Sequence, residues 1–391
     1  MAGRARWRRE SWRLYRDGGF TSNRYGTIAL TDRIYLDHAA TTPMRPEARA
    51  AVIEGMARWA NPSSPHAEGR AARRVLEDAR ERIRAALDWP GEVILTSGAS
   101  EAIGSALRGR SDVAVSAVEH DAVLRAAPDA RRLPVGRRAE VDRDALADAL
   151  AAGCTRVAVQ HVNSETGVTQ PIADMSAQVR AAGGVLVADC SQSAARYRLP
   201  DCDVAIVSAH KLGGPPGIGA LLVRDFAMLR PSGGQEFGYR GGTENLPGAL
   251  GFAAALEARA MGQGGTVQWM EDLRPAINDL TDALLAAGAT FQPVAGDALF
   301  DPGIRSITMP GVPASAQLIR FDAAGIAVSA GSACSSGTLK TSAALAAFGV
   351  AEADARCTIR VSFGWSSIAE EIARFQAAWL HIAQSAGSRA A

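Results

Sequence analysis

Four polar residues in this chain stand where continuous apolar runs end, and together they can do chemistry. Lys211 closes the run Val204-Ala205-Ile206-Val207-Ser208-Ala209-His210-Lys211, after which the chain breaks into Leu212-Gly213-Gly214-Pro215-Pro216-Gly217. A lysine delivered by a core strand to a tight loop can form a Schiff base with a carbonyl group if its surroundings lower its basicity. Ser208 and His210 beside it can donate hydrogen bonds to a phosphate. Asp189 ends Gly184-Val185-Leu186-Val187-Ala188, where a poorly hydrated carboxylate needs a cationic partner. His120 follows the run 112–118, and Asn163 follows 156–162. Taken singly, each has a plain alternative: a surface lysine, a capping aspartate, a core histidine. Together they point to one crevice.

The elements that must position them are legible as an alternation. β-branched runs at 92–96, 112–118, 156–162, 184–188, 204–208 and 219–223 are separated by helical segments of ten or so residues. That pattern describes an α/β fold with a parallel sheet covered by helices on both faces, in which ligands sit at the carboxyl ends of the strands. At Glu92-Val93-Ile94-Leu95-Thr96-Ser97-Gly98-Ala99-Ser100-Glu101, a strand turns through small residues into a helix. The free amides of Gly98, Ala99 and Ser100 and the helix dipole would favour a phosphate there, although the same residues also serve as an ordinary helix cap. A cationic ring that carries a phosphate and an aldehyde would meet all of these groups at once, and pyridoxal phosphate is such a molecule.

A second lobe is expected beyond the Gly-rich stretch 232–245 and the apolar helix after Pro247. The boundary falls near Gly262, giving a large domain over 33–262, with 33–45 able to pack on the smaller one, and a small α+β domain over 263–391. Its helices are expected at 267–287 and 314–324, its strands at 305–309 and 357–363, and a closing helix after Ile368. Within it, Ala327-Val328-Ser329-Ala330-Gly331-Ser332-Ala333-Cys334-Ser335-Ser336-Gly337 sets a cysteine among small polar residues and glycines. Such a setting suits a working thiolate, whereas structural thiols prefer apolar burial. Cys202 and Cys357 read as strand interior, and Cys190 should face away from Asp189 by strand alternation.

Composition removes several function classes. Lys and Arg number 42 against 41 Asp and Glu, a formal net charge of +1, so no global field draws nucleic acid or an anionic membrane. Five cysteines without CxxC spacing argue against a disulfide framework and a metal site, and fit a reducing, cytoplasmic compartment. No apolar stretch is long enough to span a bilayer. Residues 1–32, with arginines interleaved with Trp7, Trp12 and Tyr15, read as a flexible N-terminal extension.

From about Tyr35 to about Gly364 the motifs resemble, in order, the class V fold-type I pyridoxal phosphate enzymes, and among them the cysteine desulfurases that supply sulfur for iron-sulfur clusters. The resemblance implies a large domain built on a mostly parallel seven-stranded sheet. It implies that Lys211 in Ser-Ala-His-Lys is the Schiff-base lysine, and that Asp189 and Gln192 in Asp-Cys-Ser-Gln meet the ring nitrogen and phenolic oxygen. His120 would stack on the ring. Asn163 would reach the ring oxygen or the substrate carboxylate. Gly98, Ala99, Ser100, Ser208 and His210 would seat the phosphate, and Thr243 in Arg-Gly-Gly-Thr-Glu-Asn would reach the phosphate of a second subunit, implying a homodimer. Arg360 would bind the carboxylate of L-cysteine. Cys334 would take the substrate sulfur as a persulfide, release alanine, and pass the sulfur to an acceptor protein. Ser164, Phe237 and Trp365 depart from the family's usual Asn, Arg, and Arg or polar residue. A class V aminotransferase, a selenocysteine lyase, or a scaffold protein that kept only the fold are the competing expectations.

Overall fold

The run 204–208 is buried at every position, and so are its neighbour 219–223 and the strand 156–160, because valine, isoleucine, leucine and alanine on both faces leave no side for water. A computed structural model describes residues 33–136, 138–259, 261–262, 265–296, 298–330 and 342–390. Seven strands form the main sheet: β1 (Glu92–Thr96), β2 (Val113–Ser116), β3 (Arg131–Leu133), β4 (Arg156–Gln160), β5 (Val185–Asp189), β6 (Val204–Ser208) and β7 (Gly219–Val223). Their spatial order is β1-β7-β6-β5-β4-β2-β3. Every pair is parallel except the two made by β7, which runs against both β6 and β1. The sheet is therefore mostly parallel and seven-stranded, as expected, with β7 the strand that runs the other way. The connection 209–218 is too short for a crossover helix, so β7 returns beside the strand it follows.

Helices cover both faces. The helix Ala67–Ala86 buries Gly69, Ala72, Leu76, Ala79 and Ile83 at helical spacing and turns Arg73 and Arg84 outward into pairs with Glu77 and Glu81, while Arg80 is buried. Its start is capped by the His66 ring, which accepts from the Gly69 amide. On the other face, Ile103, Ala106 and Leu107 of the helix Ala99–Leu107 pack with Ile94, Val115 and Ile206.

A second sheet, antiparallel, is formed by β8 (Thr290–Phe291), β9 (Ile304–Thr308) and β10 (Thr358–Ser362) in the order β10-β9-β8. The helices Gln268–Ala286, Ala314–Ala323 and Ala369–Ala390 accompany it, and Phe321 stacks on Phe375 at 5.1 Å. The segment 36–39 is stitched to this sheet. The Leu36 amide donates to Ala327 O, Asp37 bridges Ser362, and the Ala39 amide donates to Ser362 Oγ at 2.8 Å.

Candidate active site

A cavity of about 470 Å³ opens at the carboxyl ends of β1, β4, β5 and β6. Its wall includes Gly98, Ala99 and Ser100, His120, Asp189 and Gln192, and Ser208, His210 and Lys211. Nine of the expected site residues thus meet in one place, each delivered by a strand end or the turn that follows it.

Gly98 is the hinge of the phosphate-sized corner. Its φ of +146° is a conformation that favours glycine, and it lets the chain turn from β1 directly into the helix Ala99–Leu107. Gly219 on β7 allows the close approach behind it, since a Cβ there would lie 2.8 Å from Gly98 Cα. The first amides of the helix are left for a ligand.

Lys211 sits in a single helical turn, Ala209–Lys211, at the end of β6. Its Nζ donates to Ala39 O and, at 2.7 Å, to Ala40 O. Burial, joined by the positive charge of Arg360, brings its pKa down from 10.5 to about 8. The amine is therefore available as a free base close to neutral pH. Burial likewise holds His210 near 4, so its ring is neutral, with Nδ1 3.2 Å from Thr41 Oγ1.

Asp189 lies at the last position of β5, and its Oδ1 accepts from the Ser191 amide at 2.9 Å. Next to it in sequence, Cys190 points into the opposite, apolar cluster and burial pushes its thiol up. His120 caps the helix Asp121–Ala126 by accepting the Ala122 amide proton at Nδ1, 3.1 Å away. In its neutral form the ring proton is then on Nε2.

Gln192 is fixed by donating to Ala39 O at 2.8 Å, and its carbonyls receive Arg196 Nη1. Arg196 also donates to Phe363 O, so one buried guanidinium joins the Gln192 loop to the residue after β10.

Three expected residues stand elsewhere. Asn163 is not on the cavity wall, and its side-chain amide is bonded within its own turn and to Val118. Oδ1 accepts from the Glu165 amide, the Thr166 amide and Thr166 Oγ1 at 2.9–3.0 Å, and Nδ2 donates to Val118 O. Ser164 takes its place on the wall. Arg360, on β10, is likewise not on the wall; it is buried and paired with Asp37. Thr243 is exposed in a separate groove with Gly55, Met56 and Trp59. Cys334 lies outside the described residues, as do the expected N-terminal extension at 1–32 and the turn around the cysteine.

Sequence reasoning missed Glu119. It is buried under the cavity, where Oε1 accepts from Ser116 Oγ at 2.6 Å and from the Gln160 amide at 2.8 Å, while Oε2 has no partner. Burial, with the charge of Asp189 added, raises its pKa to about 8. The signal available was an acid directly beside His120 at the end of an apolar run. Of the three departures from the family pattern, Phe237 and Trp365 have local aromatic and cationic partners. Phe237 lies under the Arg80 guanidinium at 4.8 Å and against Phe226. Trp365 faces Arg45 at 4.9 Å and donates from Nε1 to Pro43 O.

The donor set fits pyridoxal phosphate. A lysine of lowered basicity, an aspartate that accepts one amide, the buried and unpartnered Ser191 hydroxyl on the wall, and a helix start just past a glycine turn supply what its aldehyde, ring and phosphate require. Among the described residues no group of His, Cys, Asp and Glu could hold a metal ion.

The sequence profile described as "Aminotransferase class-V" matches residues 34–375. A "Cysteine desulfurase" of Frankia sp. (strain EuIK1) is 36% identical over 379 residues, 87% of this chain and 88% of that protein. The NifS-like protein of Rickettsia africae has a TM-score of 0.76 at 27% identity, covering 90% of this chain and 99% of that one. "SspA in complex with cysteine" gives 0.71 at 27%, covering 86% and 100%. With the matched segment running through β1 to β10 and the cavity at the strand ends, the chain belongs to the class-V aminotransferase family of pyridoxal phosphate enzymes.

Proposed function

We propose that this enzyme is a cysteine desulfurase that converts L-cysteine to L-alanine and passes the sulfur, as a persulfide on Cys334, to an acceptor protein. The observation that carries the reading is Lys211 on the cavity wall with Asp189, on a chain similar over most of its length to proteins named cysteine desulfurases. When bound, pyridoxal phosphate supplies an electron sink for carbanionic character at the substrate α-carbon.

The chain's own residues do the rest. Asp189 would hold the ring nitrogen in its protonated state, and Gln192 would lie beside the phenolic oxygen. The amides of Gly98, Ala99 and Ser100, with Ser208 and the neutral His210, would seat the phosphate. Lys211, close to its own pKa at neutral pH, would accept and return the α-proton. His120 would present its Nε2 proton to the ring side of the cavity. Arg360 would orient the substrate by its carboxylate. The Cys334 thiolate would attack the substrate sulfur, forming an S–S bond as the C–S bond breaks and its electrons remain on the carbon that becomes alanine.

The same reading extends to organisation. The large cofactor domain would run over 33–262 and the small one, with Cys334, over 263–391. A homodimer is supported by exposed apolar residues, with Met56 69% and Trp59 80% exposed beside Thr243. In the dimer Thr243 would reach the second subunit's phosphate. The five cysteines, with Cys154, Cys190, Cys202 and Cys357 free, favour the cytoplasm. No described helix is long and apolar enough to cross a membrane.

The test is the absorption spectrum of the purified protein. A visible band that is lost in Lys211→Ala is expected. A colourless protein that cannot be reconstituted with pyridoxal phosphate would support the scaffold reading instead.

A further inference from the structure

Arg360 is the residue assigned above to a substrate carboxylate, and in this structure it already holds one. Its Nη2 donates to Asp37 Oδ1 at 2.7 Å and its Nη1 to Ser164 O at 3.0 Å, while Nε is buried without a partner. The Arg360 side chain is 7% exposed and that of Asp37 22%, so water screens the pair far less than it screens a surface ion pair.

The backbone that carries Asp37 is pinned. Asp37 bridges Ser362 in parallel register, the Ser362 amide donates to Leu36 O, and Ser362 Oγ accepts from the Ala39 amide. The Asp37 carboxylate can therefore leave Arg360 by side-chain rotation while its main chain stays in place. The loop it begins also supplies Ala39 O and Ala40 O to Lys211 Nζ. Tyr35, Lys211 and Glu165 are titratable groups within electrostatic reach of the pair.

Resting on the reading of Arg360 as the carboxylate ligand, we propose that Asp37 stands in for the substrate's carboxylate: it holds the Arg360 guanidinium in the free enzyme and is displaced when the substrate's own carboxylate arrives. A buried guanidinium without a counter-ion is costly, so the free enzyme needs such a partner. Two carboxylates cannot share one fork without repulsion, so the incoming one must compete. Asp37 is thus a positioning residue that weakens carboxylate binding and makes the site answer to a charged carboxylate rather than to its amide.

The sign of one measurement separates this from a purely structural role. Binding of 3-mercaptopropionate, which has the carboxylate but no amine to react with the cofactor, is followed by calorimetry on the holoenzyme. Asp37→Asn and Asp37→Ser should each tighten its Kd roughly fivefold, the scale of one modest ion pair, and Asp37→Glu should restore the original value. 3-Mercaptopropionamide should bind all four proteins alike. Weaker or unchanged 3-mercaptopropionate binding in Asp37→Asn and Asp37→Ser, with cofactor absorbance intact, would overturn the proposal. If instead Arg360→Gln binds 3-mercaptopropionate as well as the unsubstituted enzyme, the assignment of Arg360 is wrong and the proposal falls with it. Should Asp37→Asn fail to fold, the Ser and Glu variants still give the two opposed outcomes.

Discussion

Replacing Glu119 by glutamine should remove a pH dependence of folding that the structure builds in beneath the cavity. The carboxyl is held between Ser116 Oγ and the Gln160 amide, with Asp189 and Arg132 as the charged groups in electrostatic reach, and burial raises its pKa from 4.5 to about 8. A group whose folded pKa is raised binds more protons folded than unfolded between those two values, so stability falls as pH rises from about 4.5 towards 8. One proton costs about 1.4 kcal/mol per pH unit, so between about pH 5.5 and about pH 8 the native protein should lose on the order of 3 kcal/mol that the Gln variant keeps. Glutamine retains the carbonyl that accepts from Ser116 and Gln160, and the packing is nearly conserved. Urea unfolding of both proteins at the two pH values gives the difference of differences, in which the other titrating groups cancel. A gap between the two proteins that does not change with pH would show that Glu119 is ionised in the fold, and the reading would fail.

Two further outcomes follow from the same kind of argument. The rate at which cofactor-free protein takes up pyridoxal phosphate should rise with pH and reach half its maximum near pH 8, because Lys211 must be a free amine and its pKa is lowered from 10.5; a midpoint above pH 10 would contradict the burial argument. Glu236 is completely buried, accepts from the Leu95 amide, and pairs with Arg80 Nη1 and Nη2. Glu236→Ala should cost about 3–5 kcal/mol in urea unfolding by leaving that buried guanidinium only Glu77 and Val93 O as partners, and a loss below about 1 kcal/mol would show the pair to be dispensable.

Most of what positions the site is periodic and local, and so was legible before any coordinates. Apolar β-branched runs must be strands, strand ends in such a sheet must converge, and the polar residues stationed there, His120, Asp189 and Lys211, line the cavity as that logic requires. What was not legible depends on partners distant in sequence. Nothing near Asn163 says that Thr166 and Val118 O will take its amide, and nothing near Arg360 says that Asp37, on the far side of the chain, will hold it. β3 reads Arg-Arg-Leu and escapes a hydrophobic pattern because it is short and lies at the sheet edge, where one side faces water. β7 carries the same apolar signature as the parallel strands of the sheet, and only the length of its connection reveals its direction. Glu119 was passed over because burial, not residue type, gives it its protonation.

The most direct test of the account is sulfide and alanine formation from L-cysteine by the Cys334→Ala variant, read alongside its visible absorbance. Both products should disappear while the band that depends on Lys211 remains. Undiminished desulfuration by that variant would contradict it.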